Sequence, residues 1–106
     1  MVERLTPVEL RARLAQPEPP LLLDVRESEE LAICRLEGVT HIPLGELAVR
    51  ARELDPQRSV VCICHHGIRS ANAAAYLERL GFEQVANLQG GMERWALDVD
   101  RGMARY

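Results

Sequence analysis

Val60-Val61-Cys62-Ile63-Cys64 is an uninterrupted apolar run of strand length. With no polar alternation, it fits a β-strand covered on both faces and not one with a face open to water. Strands of that kind belong to parallel sheets with helices packed on both sides, so this one segment restricts the chain to an α/β arrangement. Leu21-Leu22-Leu23-Asp24-Val25 repeats the pattern after the breaker cluster Pro17-Glu18-Pro19-Pro20. Val39 to Ile42 is a briefer β-prone stretch stopped by Pro43, and Gln84 to Leu88 supplies another.

Helical stretches alternate with these runs. Thr6 caps and Pro7 opens a half-apolar helix through Val8, Leu10, Ala12 and Leu14. Ser28 is expected to cap a helix through about Leu36, with Gly38 just past its end. Leu44, Leu47, Ala48, Ala51 and Leu54 stand at helical spacing before Asp55-Pro56. Ser70 precedes a helix from about Ala71 to Leu80 closed by Gly81, and Gly90-Gly91 leads into a short helix carrying Trp95. The expected fold is an open, mainly parallel sheet of about five strands with helices on both faces.

At 106 residues, the whole chain, 1–106, is expected to form one domain. A chain of this size buries roughly two-thirds of its unfolded surface, so the core needs no covalent staples. The three cysteines are odd in number, and Met1-Val2-Glu3-Arg4-Leu5 mixes charges where a secretory signal would be apolar. No window approaches the about 18 apolar residues of a membrane span. The expectation is a cytoplasmic protein with reduced thiols and no membrane partner. A net charge of −3 argues against nucleic acid as a partner, even though all 13 basic residues are arginine.

In sheets of this class, ligands bind beyond the carboxyl ends of the strands, where loops run into helix N-termini. The junction Cys64-His65-His66-Gly67-Ile68-Arg69-Ser70 is the one that joins a nucleophile, a tight loop and a helix start. There the positive end of the helix and curled backbone N–H groups favour a thiolate, with the imidazoles and Arg69 adding to the field. Cys62, within the strand, and Cys34, in a helical pattern, have the bland reading of buried inert thiols. Asp24 and Arg26 read as a capping or ion pair. Gly90-Gly91 and Trp95 read as a turn and core packing, with the turn a possible rim of the Cys64 loop.

Spacing separates three cysteine chemistries at this loop. A cysteine phosphatase loop needs one residue more than separates Cys64 from Arg69 and one fewer than separates Cys62 from Arg69. The smaller cradle disfavours phosphate and suits a single terminal sulfur. A Cys62–Cys64 disulfide would have to span about 7 Å between Cα atoms along a strand, at the upper edge of what the bond allows. A metal site of Cys62, Cys64, His65 and His66 would crowd its ligands into one segment, where zinc sites usually draw on two, so no metal is expected.

The chain resembles the rhodanese family over nearly its whole length. The resemblance is carried by Leu22-Leu23-Asp24-Val25-Arg26, Glu37-Gly38-Val39-Thr40-His41-Ile42-Pro43, the loop Cys64 to Ser70, Gly81-Phe82, Leu88-Gln89-Gly90-Gly91 and Trp95, in that order. It implies a thiosulfate sulfurtransferase in which Cys64 accepts a sulfane sulfur as a persulfide and passes it to cyanide, a thiol or an acceptor protein. His65, His66, Gly67, Ile68, Arg69 and Ser70 would hold the small anionic donor, and no cofactor is implied. The span from Cys64 to Arg69 is similar to that of the family's sulfurtransferases, whereas its phosphatase and arsenate reductase relatives have a longer one. Cys34-Arg35, Glu37 and Ile63 depart from the Gly-His, proline and aromatic that many members carry there. The Cys-His-His-Gly loop and the tail Ala104-Arg105-Tyr106 look similar to rhodanese domains fused to sulfur-carrier adenylyltransferases. A non-catalytic interaction domain on the same fold is the alternative.

Overall fold

The computed structural model describes residues 1–106. Five parallel strands, β1 (Glu3–Leu5), β2 (Leu21–Asp24), β3 (Thr40–His41), β4 (Val60–Ile63) and β5 (Val85–Leu88), form one sheet in the order β1-β5-β4-β2-β3. The helices are α1 (Pro7–Leu14), α2 (Ser28–Ile33), α3 (Leu47–Arg50), α4 (Ile68–Arg79) and α5 (Gly91–Asp98). This is the α/β architecture expected from the apolar runs. The central β4 explains its own composition, because Val60, Cys62 and Cys64 enter one core layer while Val61 and Ile63 enter the other.

The first layer, with Leu47, Ala51, Ala73, Ala74 and Leu77, lies under α3 and α4. The second, with Leu10, Met92 and Trp95, lies under α1 and α5. β1 escaped the sequence reading because Glu3 and Arg4 are exposed and only Leu5 of the strand is buried. The register Cys62↔Asn87 sets Asn87 beside the line of Cys62 and Cys64, and Asp24 pairs with Ile63 one residue before Cys64.

Three helix expectations are corrected. The stretch from Leu44 to Leu54 is a 3-10 turn (Leu44–Glu46), the single α-turn α3 and a second 3-10 turn (Ala51–Glu53). Its buried stripe Leu47, Ala51 and Leu54 is as expected, but a short segment with Gly45 in its first turn has little helix propensity of its own. α2 starts after Glu27, not at a Ser28 cap, and ends at Ile33. The buried Arg26 guanidinium donates to the carbonyls of Cys34 at 2.8 Å and Glu30 at 3.4 Å, and Cys34 is extended and half-buried outside the helix. α4 starts three residues earlier than expected, which puts Ser70 inside its first turn.

Candidate functional site

Cys64 follows the last residue of β4 and is 1% exposed. The chain then turns at Gly67, whose φ of +95° is accessible to glycine at little cost. A Cβ at that position would lie 3.1 Å from Gly90 N and 3.3 Å from Leu88 O, so the end of β5 and the turn after it also leave little room for a side chain. The turn brings the Gly67 N–H to 3.0 Å from Cys64 Sγ. The main-chain N–H groups of His65, His66, Ile68, Arg69 and Ser70 donate to no acceptor in the protein. A thiol sulfur thus sits in a loop whose unpaired amides, at the positive end of α4, are available to an anion.

The loop's carbonyls are tied down on the opposite side. Met92 N–H donates to Cys64 O at 2.9 Å and Glu93 N–H to His65 O at 3.1 Å, so the first turn of α5 holds the loop from behind. Gly91 permits this approach: a Cβ there would lie 2.4 Å from both carbonyl oxygens. The Gly90-Gly91 turn therefore faces the Cys64 loop as well as closing β5.

Beneath the sulfur, Ser70 Oγ lies 3.2 Å from Cys64 Sγ and donates to Asn87 Oδ1 at 2.5 Å, while Asn87 Nδ2 donates to Gly67 O at 3.0 Å. Ser70 is fully buried and Asn87 is 6% exposed. Burial requires each of these groups to find a partner, and they find one another.

At the rim, Arg69 is paired with Glu30 of α2: Nη1 to Oε2 and Nη2 to Oε1, both 2.7 Å. Glu30 also accepts the Tyr106 hydroxyl and the Glu27 N–H, each at 2.9 Å. The Arg69 guanidinium first, with those two further donors, holds the Glu30 carboxyl at about 2 against the burial that opposes it. Tyr106 OH accepts from Arg26 Nη1 at 2.9 Å, and its ring stacks on His65 at 3.9 Å and 17°. The tail Ala104-Arg105-Tyr106 is thereby seated at the mouth of the loop. Burial is the leading cause that pushes the Tyr106 phenol up to about 12.

His65 is half-buried and packs on the exposed His66 at 3.9 Å between ring centroids. Burial, with the neighbouring His66 charge second, moves its pKa below the usual imidazole value. Ile68 is 73% exposed and contributes its amide and not its side chain. Asp24 and Arg26 form an ion pair with both side chains fully buried: Arg26 Nη2 lies 2.8 Å from Asp24 Oδ2. Cys62 is fully buried, and burial foremost pushes its thiol up to about 12. Cys34 Sγ lies 3.8 Å from Arg26 Nη1.

A family model described as a rhodanese-like domain matches residues 6–98. The chain belongs to the rhodanese-like domain family. A sulfurtransferase of Allochromatium vinosum is 36% identical over 96 residues, covering 91% of this chain and 90% of that protein. YrkF of Bacillus subtilis, a candidate sulfur carrier protein, is 46% identical over 74 residues, which are 70% of this chain and 40% of YrkF. The crystal structure of a rhodanese-like domain protein from Staphylococcus aureus matches at a TM-score of 0.85 and 28% identity, with 99% of each chain covered. Of these relatives, one is named a sulfurtransferase and one a sulfur carrier protein.

The structure of this rhodanese-like domain adds residues that the sequence did not single out. Asn87 had one signal, as the polar residue inside the apolar stretch ending at Leu88. Glu30 sits in an acidic run that reads as a solvated helix face, and Tyr106 enters only through the tail's resemblance; no local pattern places either at the loop.

Proposed function

We propose that Cys64 is the sulfur-carrying nucleophile of a sulfurtransferase. The observation that carries this reading is the seat of Cys64 Sγ, on the Gly67 N–H within a loop of otherwise unpaired amides. In the first step, the Cys64 thiolate attacks the outer sulfur of a donor such as thiosulfate. A bond forms between Sγ and that sulfur, the donor's S–S bond breaks, and sulfite leaves with the electron pair. In the second step, a nucleophile such as cyanide, a thiol or the thiolate of an acceptor protein takes the outer sulfur, and Cys64 departs as thiolate. The amides of residues 65 to 70 stabilise the anionic outer sulfur as a preorganised hole.

Gly67 shapes that cradle, Ile68 lends its amide, Ser70 serves the sulfur from below, and His65 and His66 line the approach. Arg69, already aligned by Glu30, keeps its Nε–H and outer N–H donors for the oxygens of the donor. A protein acceptor is supported by the sulfur-carrier description of YrkF. Three free thiols suit a reducing compartment, and we place the protein in the cytoplasm on that ground. No helix is long and apolar enough to cross a membrane.

The reduced protein is incubated with thiosulfate, its intact mass is measured, and thiocyanate is followed after cyanide addition. Wild type and Cys62→Ser gain one sulfur and form thiocyanate; Cys64→Ser does neither. Sulfur retained in Cys64→Ser would overturn the assignment.

A further inference from the structure

Asn87 has no route to a substrate, yet its amide decides where the Ser70 proton goes. The Gly67 carbonyl can only accept, so the Asn87 amide must turn Nδ2 toward it, at 3.0 Å. Oδ1 is then left facing Ser70 Oγ at 2.5 Å, and as an acceptor it claims the single hydroxyl proton. Ser70 consequently presents lone pairs to Cys64 Sγ, 3.2 Å away. A Cys64 thiol completes this chain, with S–H donating to Ser70 Oγ and Ser70 O–H donating to Asn87 Oδ1.

A thiolate does not complete it. Once the S–H proton has gone to solvent, Sγ has nothing to donate and meets an oxygen lone pair. Its Gly67 N–H bond survives, but Ser70 can serve the new charge only by turning its proton away from Asn87. Oδ1 is then stranded in a buried position, at the cost such groups carry. In a persulfide the charge lies on the outer sulfur, Sγ is a neutral bridging atom, and the Ser70 proton can return to Asn87.

We infer that Asn87 is a positioning residue that acts through Ser70 to disfavour the Cys64 thiolate relative to both the thiol and the sulfur-loaded form. The inference rests on Cys64 as the sulfur carrier and adds a residue on β5 that makes the unloaded thiolate the least satisfied of its three states. Such a thiolate is more basic and more nucleophilic toward the donor. The charged and titratable groups around it are Cys62 on β4, Arg69 on α4 with Glu30 on α2, the Asp24–Arg26 pair of β2 and its extension, His65 and His66 in the loop, and Glu93 on α5. None of them changes in the variants below.

The test follows thiolate absorbance near 240 nm against pH, each protein being read against its own Cys64→Ser counterpart. Asn87→Ala frees the Ser70 proton and lowers the Cys64 midpoint by about one pH unit, a tenfold gain in thiolate. Asn87→Leu, which refills the volume, gives the same shift if the alanine variant folds poorly. Ser70→Ala removes the oxygen that accepts the thiol proton and turns a lone pair to the thiolate, and lowers the midpoint as well. In the Ser70→Ala background, Asn87→Ala has no further effect. The inference is overturned if Asn87→Ala and Asn87→Leu leave the midpoint in place or raise it, if Ser70→Ala raises it, or if the Asn87 effect persists without Ser70. Failure of Cys64 to take up sulfur is read separately by mass and leaves this titration interpretable.

Discussion

Replacing Glu30 by glutamine tests whether the rim of the site is held by charge. The Glu30 carboxylate accepts from two guanidinium nitrogens of Arg69, the Tyr106 hydroxyl and the Glu27 N–H, all between 2.7 and 2.9 Å. Moving a carboxyl from its ordinary 4.5 to about 2 corresponds to about 3 kcal/mol before screening. Because the Arg69 side chain is 35% exposed, solvent reduces this to about 1–2 kcal/mol. A group whose folded pKa is depressed contributes fully above its unfolded value and loses that contribution as pH falls through the folded one. Urea denaturation of wild type and Glu30→Gln should therefore differ by about 1–2 kcal/mol at pH 7. The gap should narrow below pH 4.5 and close toward pH 2. A gap that stays constant over this range would refute a charge-based role, and no gap at pH 7 would refute the pairing itself.

Gly91→Ala should cost about 3 kcal/mol in urea denaturation and abolish sulfur uptake by mass, since its Cβ collides with two carbonyl oxygens of the loop at 2.4 Å. Gly38→Ala, with a φ of +76° but nothing within 4 Å, should cost only about 1 kcal/mol and leave uptake intact. Tyr106→Phe keeps the His65 stack but removes both hydroxyl bonds, and should lose about 1–2 kcal/mol in the same assay. With the phenol pushed up to about 12 from 10, that contribution is intact below pH 10 and disappears as pH rises through 12. At pH 8, iodoacetamide followed by peptide mass mapping should label Cys34 and leave Cys62 untouched, because burial holds the Cys62 thiol at about 12.

Cys64 could be picked out without coordinates because strand end, glycine turn and helix start are local signals that coincide at one residue. The same locality explains the misreadings. Leu44 to Leu54 carries a helical stripe, but whether such a stripe winds as α or 3-10 depends on what its ends are tied to, and Leu44 N–H is tied to Val25 O. α2 stops at Ile33 where the buried Arg26 guanidinium takes the Cys34 carbonyl, a side-chain contact that apolar periodicity does not encode even though the two residues are near in sequence.

Apolar periodicity and breaker placement were enough to set the α/β class and the buried strands and to single out Cys64 as the candidate nucleophile, since each arises from neighbouring residues competing for burial or for a backbone conformation. The strand order β1-β5-β4-β2-β3 is different in kind, because it joins segments far apart in the chain. That order sets Asn87 under Ser70, Glu30 against Arg69 and Tyr106 over His65. Hydrogen bonds between polar groups brought together this way have no period, so the partners of Cys64's loop emerged only from packing.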